Sequence, residues 1–375
     1  MTTASTASRH RRRRGEDDTT VRNWSELPDG PLHTIFTCLC SFVDFISFSS
    51  VCRSWRAVTS ALSPSDITSR FPPLLLIASY TREGRASGCR VLDPASPSFS
   101  CSLDRISNNR ASANFPILTN HGRFLRPVRP AGNHQHVILN PFTGEEIYSP
   151  IIPKGGTSIN RFHPTHLSFI DSALLLITNY DVFHWRVGSP SWSCHSPKIH
   201  PTGGEIVVIV KDKMYAMDSA ERLFELELSP QLHLRHLAVD GIGDGRFSFK
   251  IFLVDCGGEL LFLRLVPTER IMGMQLEAFR LDLSINQATW VKIENLGNWA
   301  IFVGYWTELP GLAVENPERW GGRSNCVYFS MNGNVDWPWV MIKLGEEIDT
   351  SDPESPLFNG NPRQRVKTSW VYPGF

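Results

Sequence analysis

Between Phe71 and Leu74 the period of the hydrophobic pattern changes, and that change leaves few architectures open to the chain. Upstream, apolar residues recur at three- and four-residue steps: Leu32, Ile35, Phe36 and Leu39, then Phe45, Phe48, Cys52 and Trp55, then Val58 and Leu62. This spacing predicts amphipathic helices, with Asp29 as an N-cap, Pro31 in the first turn and a stop at Pro64. Downstream, short apolar runs alternate with turn signals: "LLLIA" at 74–78, "HVIL" at 136–139, "ALLLIT" at 173–178, "EIVVIV" at 205–210, "FKIFLVD" at 249–255 and "ELLFLRLV" at 259–266. Between them no segment carries a sustained helical period. The expected fold is therefore α+β and multidomain, a small all-α unit over 21–68 followed by an all-β region over 72–375.

The β region is loosely repetitive. Gly-Gly pairs stand at 155–156, 203–204, 257–258 and 321–322, and an apolar triplet ending in Asp or Asn before a turn recurs in "RVLDPAS", "VILNPFTGE", "YAMDSAE" and "FRLDLSINQATW". A period near fifty residues with Gly-Gly and Trp is a blade-like signature, because a four-stranded sheet cannot bury both faces alone and must stack radially on its neighbours. The length holds five or six irregular blades, with a pair of β-sandwiches as the alternative. "SWVYPGF" at 369–375 is apolar and aromatic, which predicts a strand that returns to close the ring.

Charge and cysteine use narrow the function classes. Lys+Arg and Asp+Glu are both 37, so no net field recruits nucleic acid or an anionic membrane surface. No run approaches the roughly 18 apolar residues of a membrane span. Eight scattered cysteines without a CxxC motif point to reduced thiols in the nucleus or cytoplasm. Residues 1–20 are polar and predicted to be a disordered basic tail, in which Arg9, Arg11, Arg12, Arg13 and Arg14 form a candidate nuclear import signal beside Glu16, Asp17 and Asp18.

Catalytic signatures are missing from the sequence: it has no GxSxG, HExxH or P-loop pattern. "GIGDG" at 241–245 follows no βαβ pattern and reads as a turn. The histidine pairs His134/His136, His163/His166 and His233/His236 lack third and fourth ligands in sequence, so neither metal nor cofactor is expected. Arg123, Arg126 and Arg129 in "GRFLRPVRP" read as a blade edge rather than a nucleic-acid site.

The helical patch itself resembles the F-box. "LPDGPLHTIFTCL" and "DFISFSSVCRSWR" carry the Leu-Pro-acid start, the Ile-Phe pair and the Val-Cys-[Lys/Arg]-x-Trp end of that motif, with Gly30-Pro31 as a departure in the first turn. The downstream region, in "FLVDCGGELLFLRLV", "FRLDLSINQATWVKIENLGNWAIFVGYW" and "GGRSNCVYFS", resembles the KIB-type, kelch-like propellers of plant F-box proteins. The resemblance implies a non-catalytic substrate receptor that docks a Skp-type adaptor of a cullin-RING ubiquitin ligase and holds a protein substrate at a propeller rim. A ligase-independent scaffold is the alternative. The adaptor-binding residues so implied are Leu27, Pro28, Leu32, Ile35, Phe36, Leu39, Phe48, Val51, Cys52 and Trp55. So small a helical unit buries too little surface alone, and it must pack either on its own chain or on a partner.

Overall fold

The structure is a computed structural model and describes residues 24–80, 86–102, 117–118, 124–128, 135–140, 142–153, 166–170, 173–177, 181–196, 206–228, 233–242, 245–270, 273–284, 287–304, 309–330, 339–349 and 365–372. The basic tail and its arginines lie outside these, as do Arg123, Arg129, His134, His163 and the first two Gly-Gly pairs.

Four helices come first: α1 (Asp29–Thr37), α2 (Phe42–Ser50), α3 (Arg53–Ser60) and α4 (Pro64–Thr68). Asp29 is the first residue of α1 and not its cap, which falls on Pro28 without a side-chain hydrogen bond. The stripe read as one stretch through Phe45, Cys52 and Trp55 is broken at Cys52, whose extended backbone caps α3. Pro64 starts α4 as well as ending what precedes it, since a first-turn proline forfeits no helical bond.

Strands β1 (Leu74–Tyr80), β2 (Ala86–Asp93) and β3 (Ser96–Ser102) begin the β region. Three four-stranded sheets follow in chain order. They are β4 (Ile117–Leu118), β5 (Phe124–Val128), β6 (Gln135–Leu139) and β7 (Glu146–Tyr148); β8 (His166–Ile170), β9 (Ala173–Ile177), β10 (Val182–Arg186) and β11 (Ser193–His195); and β12 (Ile206–Val210), β13 (Lys213–Met217), β14 (Leu223–Glu227) and β15 (His233–Leu237). A ten-stranded sheet contains β16 (Val239–Asp240), β17 (Lys250–Cys256), β18 (Glu259–Pro267), β19 (Gly273–Asp282), β20 (Ala288–Ile293), β21 (Trp299–Gly304), β22 (Gly311–Glu315), β23 (Cys326–Ser330), β24 (Trp339–Lys343) and β25 (Glu347–Asp349). Within it β17–β20 and β21–β24 are two four-stranded units joined by a short parallel pairing, Val254 to Gly311 and Asp255 to Leu312.

The final strand, β26 (Arg365–Val371), pairs antiparallel with β1 over its whole length, Leu74 opposite Val371 and Tyr80 opposite Arg365. It completes the first unit in the order β26-β1-β2-β3, giving six units among the described residues, with the first and last strands interlocked. The apolar "SWV" was therefore a closing strand. Trp370 carries the closure to the sixth unit: its indole N–H donates to the Val303 carbonyl at 3.1 Å, and its ring packs against Phe302 and Trp339.

The two repetitive devices fare differently. Gly257 and Gly258 both take left-handed φ in the two-residue β17–β18 hairpin, where a Cβ on Gly257 would meet the Trp299 ring at 2.8 Å. Gly321-Gly322 instead ends the 3₁₀ turn Pro317–Trp320 and is no hairpin, so the two described Gly-Gly pairs do not mark the same place in a blade. The acid-turn device is real. Asp93, Asn140, Asp218 and Asp282 each accept from an amide two residues ahead (Ala95, Phe142, Ala220 and Ser284), the Asx geometry that starts a tight turn.

One core spans the helices and the first unit. Leu32, Phe36, Phe42, Phe45, Phe48, Val58 and Ile67 are buried together with Phe71, Leu74, Leu76, Ala78, Val91 and Val371. Phe71 sits at its centre, edge-on to Phe36 and Phe42. At about 1.5–3 kcal/mol for each large apolar side chain buried, the sheet supplies what a unit of some forty residues lacks.

Candidate docking face

The helical unit is positioned by three polar ties as well as by its core. Asp93, 1% exposed at the end of β2, accepts from the Phe42 amide at 2.7 Å and the Val43 amide at 3.2 Å. These are the first two free donors of α2, and the third, Asp44, is capped by Ser41 Oγ at 3.0 Å. Burial pushes the Asp93 carboxyl up, opposed by the amides of Ala95, Val43 and Phe42. Arg70 donates to the Thr37 carbonyl at the end of α1 while its guanidinium lies 5.0 Å over the Phe36 ring. Tyr372 reaches from just past β26 to the carbonyls of Thr68 and Phe71, at 3.1 and 3.2 Å.

The ten residues implied as adaptor contacts divide sharply. Leu32, Phe36 and Phe48 are 0, 3 and 4% exposed and face the chain's own core. As surface anchors they are corrected: a single apolar stripe cannot show from sequence which part an adjoining sheet covers. Leu27, Ile35, Leu39 and Trp55 are half-buried at the edge of that core, and Cys52 is half-buried at the N-cap of α3. Pro28 and Val51 are exposed, Val51 at 54%.

Two further apolar residues join them on the surface, Ile46 at 51% and Trp24 at 66%. The sequence held a signal for Ile46, an aliphatic residue on α2 that lies off the Phe42/Phe45/Phe48 stripe. Trp24 is tied to the unit through its carbonyl, which accepts from the Trp55 indole at 3.0 Å. The Cys52 thiol, bonded by the Trp55 amide at the start of α3, lies below its ordinary value.

Among the described residues no group of three His, Cys, Asp or Glu could hold a metal. His136 is buried on β6, and the His236 ring lies tilted against Phe224 with ring centres 5.4 Å apart. Trp320, in the 3₁₀ turn after β22, is buried against Phe302 and Tyr328. Its neighbour Arg319 lines a cleft of about 420 Å³ with Arg70 and the Thr37–Cys40 segment after α1. The eight cysteines form no disulfide.

Comparison with known proteins agrees with this division. The F-box-like model matches residues 24–63, and the KIB1-4 β-propeller model matches 102–358. The chain belongs to the KIB1-4 β-propeller family. Its helical unit is an F-box-like domain, and its six sheet units are the blades of a propeller. No curated protein matches the sequence. Among solved structures, a protein from Lactobacillus plantarum is similar at 10% identity and a TM-score of 0.35, covering 59% of this chain and 67% of that one. The N-terminal domain of Nup159 is similar at 9% and 0.31, covering 58% and 60%. YjhT is similar at 10% and 0.30, covering 58% and 70%. The chain thus spans less than two thirds of the Nup159 domain, and none of these distant likenesses carries a functional argument. The architecture is an F-box-like domain ahead of a propeller.

Proposed function

We propose that the protein is the substrate-recognition subunit of an SCF-type cullin-RING ubiquitin ligase. Its F-box docks a Skp-type adaptor, and its propeller holds a protein substrate. The observation that carries the reading is the uncovered apolar set Trp24, Pro28, Ile46 and Val51, on a helical unit whose other side is already closed by its own propeller. Exposed apolar side chains on a helical unit fit a helix-in-groove partner, whose interface buries on the order of 1,600 Å² and concentrates its energy in a few desolvated anchors. Leu27, Ile35, Leu39, Cys52 and Trp55 form the half-buried rim of that set.

In this role the chain needs no catalytic group. It raises the local concentration of substrate lysines near a ubiquitin-charged enzyme, and a shared F-box–propeller core keeps the two binding surfaces at a fixed spacing. A nuclear or cytoplasmic location is part of the proposal, with Arg9 and Arg11–Arg14 as import signal. The test is co-purification of a Skp-type adaptor and cullin with wild type and with Ile46→Asp/Val51→Asp. Both sites are exposed, so the variant keeps its melting temperature, and we expect adaptor retention to fall at least thirtyfold. Equal retention by the variant refutes the docking face. Adaptor binding without cullin recruitment or ubiquitin transfer shifts the reading to a ligase-independent scaffold.

A further inference from the structure

The cleft between the F-box and blade six is built from two parts of the chain that meet only in the fold. On one side stand Thr37, Cys38, Leu39 and Cys40, the link from α1 to α2, with Arg70 just past α4. On the other stands Arg319, in the 3₁₀ turn Pro317–Trp320. The volume of about 420 Å³ falls within the roughly 300–1,000 Å³ of small-molecule sites.

The charged side chains on its wall are both cations. Arg70 is already fixed in place. Its Nη1 donates to the Thr37 carbonyl at 2.9 Å and its guanidinium lies 5.0 Å over the Phe36 ring, which leaves Nε and Nη2 without a bond among the described residues. The Arg319 side chain has neither hydrogen bond nor ion pair among the described residues, while its turn is held between left-handed Asn316 and Gly321. The acids beside them in sequence are engaged elsewhere. Asp66 accepts from the amide and hydroxyl of Ser63, and Glu318 from the amide and hydroxyl of Ser324.

The end of a helix ordinarily repels an anion through its free carbonyls. Here those carbonyls have donors. Ile35 accepts from the Cys38 amide, Phe36 from the Leu39 amide, Thr37 from Arg70 and Cys38 from the Cys40 thiol. What faces the cleft from α1 is therefore neutralised, and the two guanidinium groups set its sign.

We propose that this cleft binds a small organic phosphate, its phosphate group held between Arg70 and Arg319 and the rest of the molecule against Leu39 and the two thiols. Guanidinium forks match phosphate oxygens in pairs, and Arg70 is pre-organised to do so. A phosphate monoester carries a charge of about −1.5 to −2 at pH 7, which answers two cations where a single carboxylate answers one. The bound molecule would tie the F-box to blade six, a second link beside the one that Asp93 makes to blade one. Neither adaptor nor protein substrate enters this assignment, so it stands apart from the ligase reading.

The test is calorimetric titration of the purified full chain with inorganic phosphate and with glucose 6-phosphate, in about 0.15 M salt to screen loose surface binding. We expect both to bind and Arg319→Ala to weaken both about tenfold or more. Its melting temperature without ligand should match wild type, because the side chain it removes has no bonded partner among the described residues. Arg186→Ala, at an exposed arginine of blade three, should bind as wild type does. Place is read by alkylation of the exposed thiols followed by mass spectrometry. Saturating glucose 6-phosphate should slow the reaction at Cys38 and Cys40 about threefold or more and leave Cys101 and Cys194 unchanged. No binding of either probe, equal binding by Arg319→Ala, equal loss in Arg186→Ala, or no protection confined to Cys38 and Cys40 overturns the site. Binding of inorganic phosphate with glucose 6-phosphate excluded overturns the organic phosphate as its ligand.

Discussion

Replacing Asp93 by Ala should loosen the F-box from the propeller without touching a residue of the apolar core that they share. The carboxylate serves three amides at once, those of Phe42, Val43 and Ala95, at 2.7, 3.2 and 2.9 Å. Each donor left without an acceptor in a buried setting costs about 1–3 kcal/mol. Removing the buried charge itself returns part of that, since burial already pushes Asp93 toward its neutral form. The net loss is about 2–4 kcal/mol, or roughly 4–8 °C at some 2 °C per kcal/mol for a large domain. Asp93→Asn keeps one acceptor oxygen and should lose about half as much. Thermal unfolding followed by circular dichroism reads the size of the effect, and limited proteolysis reads its place, with new cuts around 60–72 in Asp93→Ala. A melting temperature within 1 °C of wild type, or a cleavage pattern unchanged there, refutes the claim that a blade carboxylate holds α2 in position.

Three other outcomes follow from the same geometry. Phe36→Ala should cost about 3–5 kcal/mol and abolish adaptor retention by unfolding the F-box, so its loss must coincide with a lower melting temperature, unlike that of Ile46→Asp/Val51→Asp. Trp370→Ala removes the indole bond to Val303 and the contacts to Phe302 and Trp339, and should destabilise the closed ring by about 3–5 kcal/mol in chemical denaturation. Burial raises Glu277, but hydrogen bonds from Arg246, Lys292 and Arg264 outweigh it and hold the carboxyl below its ordinary 4.5. The sign is that of a depressed acid: its stabilisation is complete above about pH 4.5 and is lost as pH falls through the folded value. Melting temperatures of wild type should therefore fall in acid more steeply than those of Glu277→Gln.

The change of period at Phe71 was enough to divide the chain, because helical and alternating patterns bury incompatible faces. The closing strand was legible too, since a run such as Ser369-Trp370-Val371 finds no stable place in water. What the pattern could not show was how one helical stripe is shared. Leu32 and Val51 look alike as apolar F-box positions, and only the sheet beneath decides that one is core and the other surface. Gly-Gly misled for a related reason: glycine marks left-handed backbone, and both a hairpin at 257 and the end of a 3₁₀ turn at 321 demand it. Asp93 was noticed as a turn residue, but nothing local hints that it also reaches amides some fifty positions upstream. The partners of Glu277 were equally hidden, since Arg264 and Lys292 reach it only through sheet register and Arg246 comes from the segment before β17.

Val371 lies in the same core as Leu32 and Phe36, although more than three hundred residues separate them along the chain. During synthesis the F-box leaves the ribosome early, yet its interior has no final wall until β26 has been made and threaded beside β1. A nascent or prematurely terminated chain therefore shows unfinished helices to chaperones and degradation factors. The F-box interior is closed only by the completed propeller.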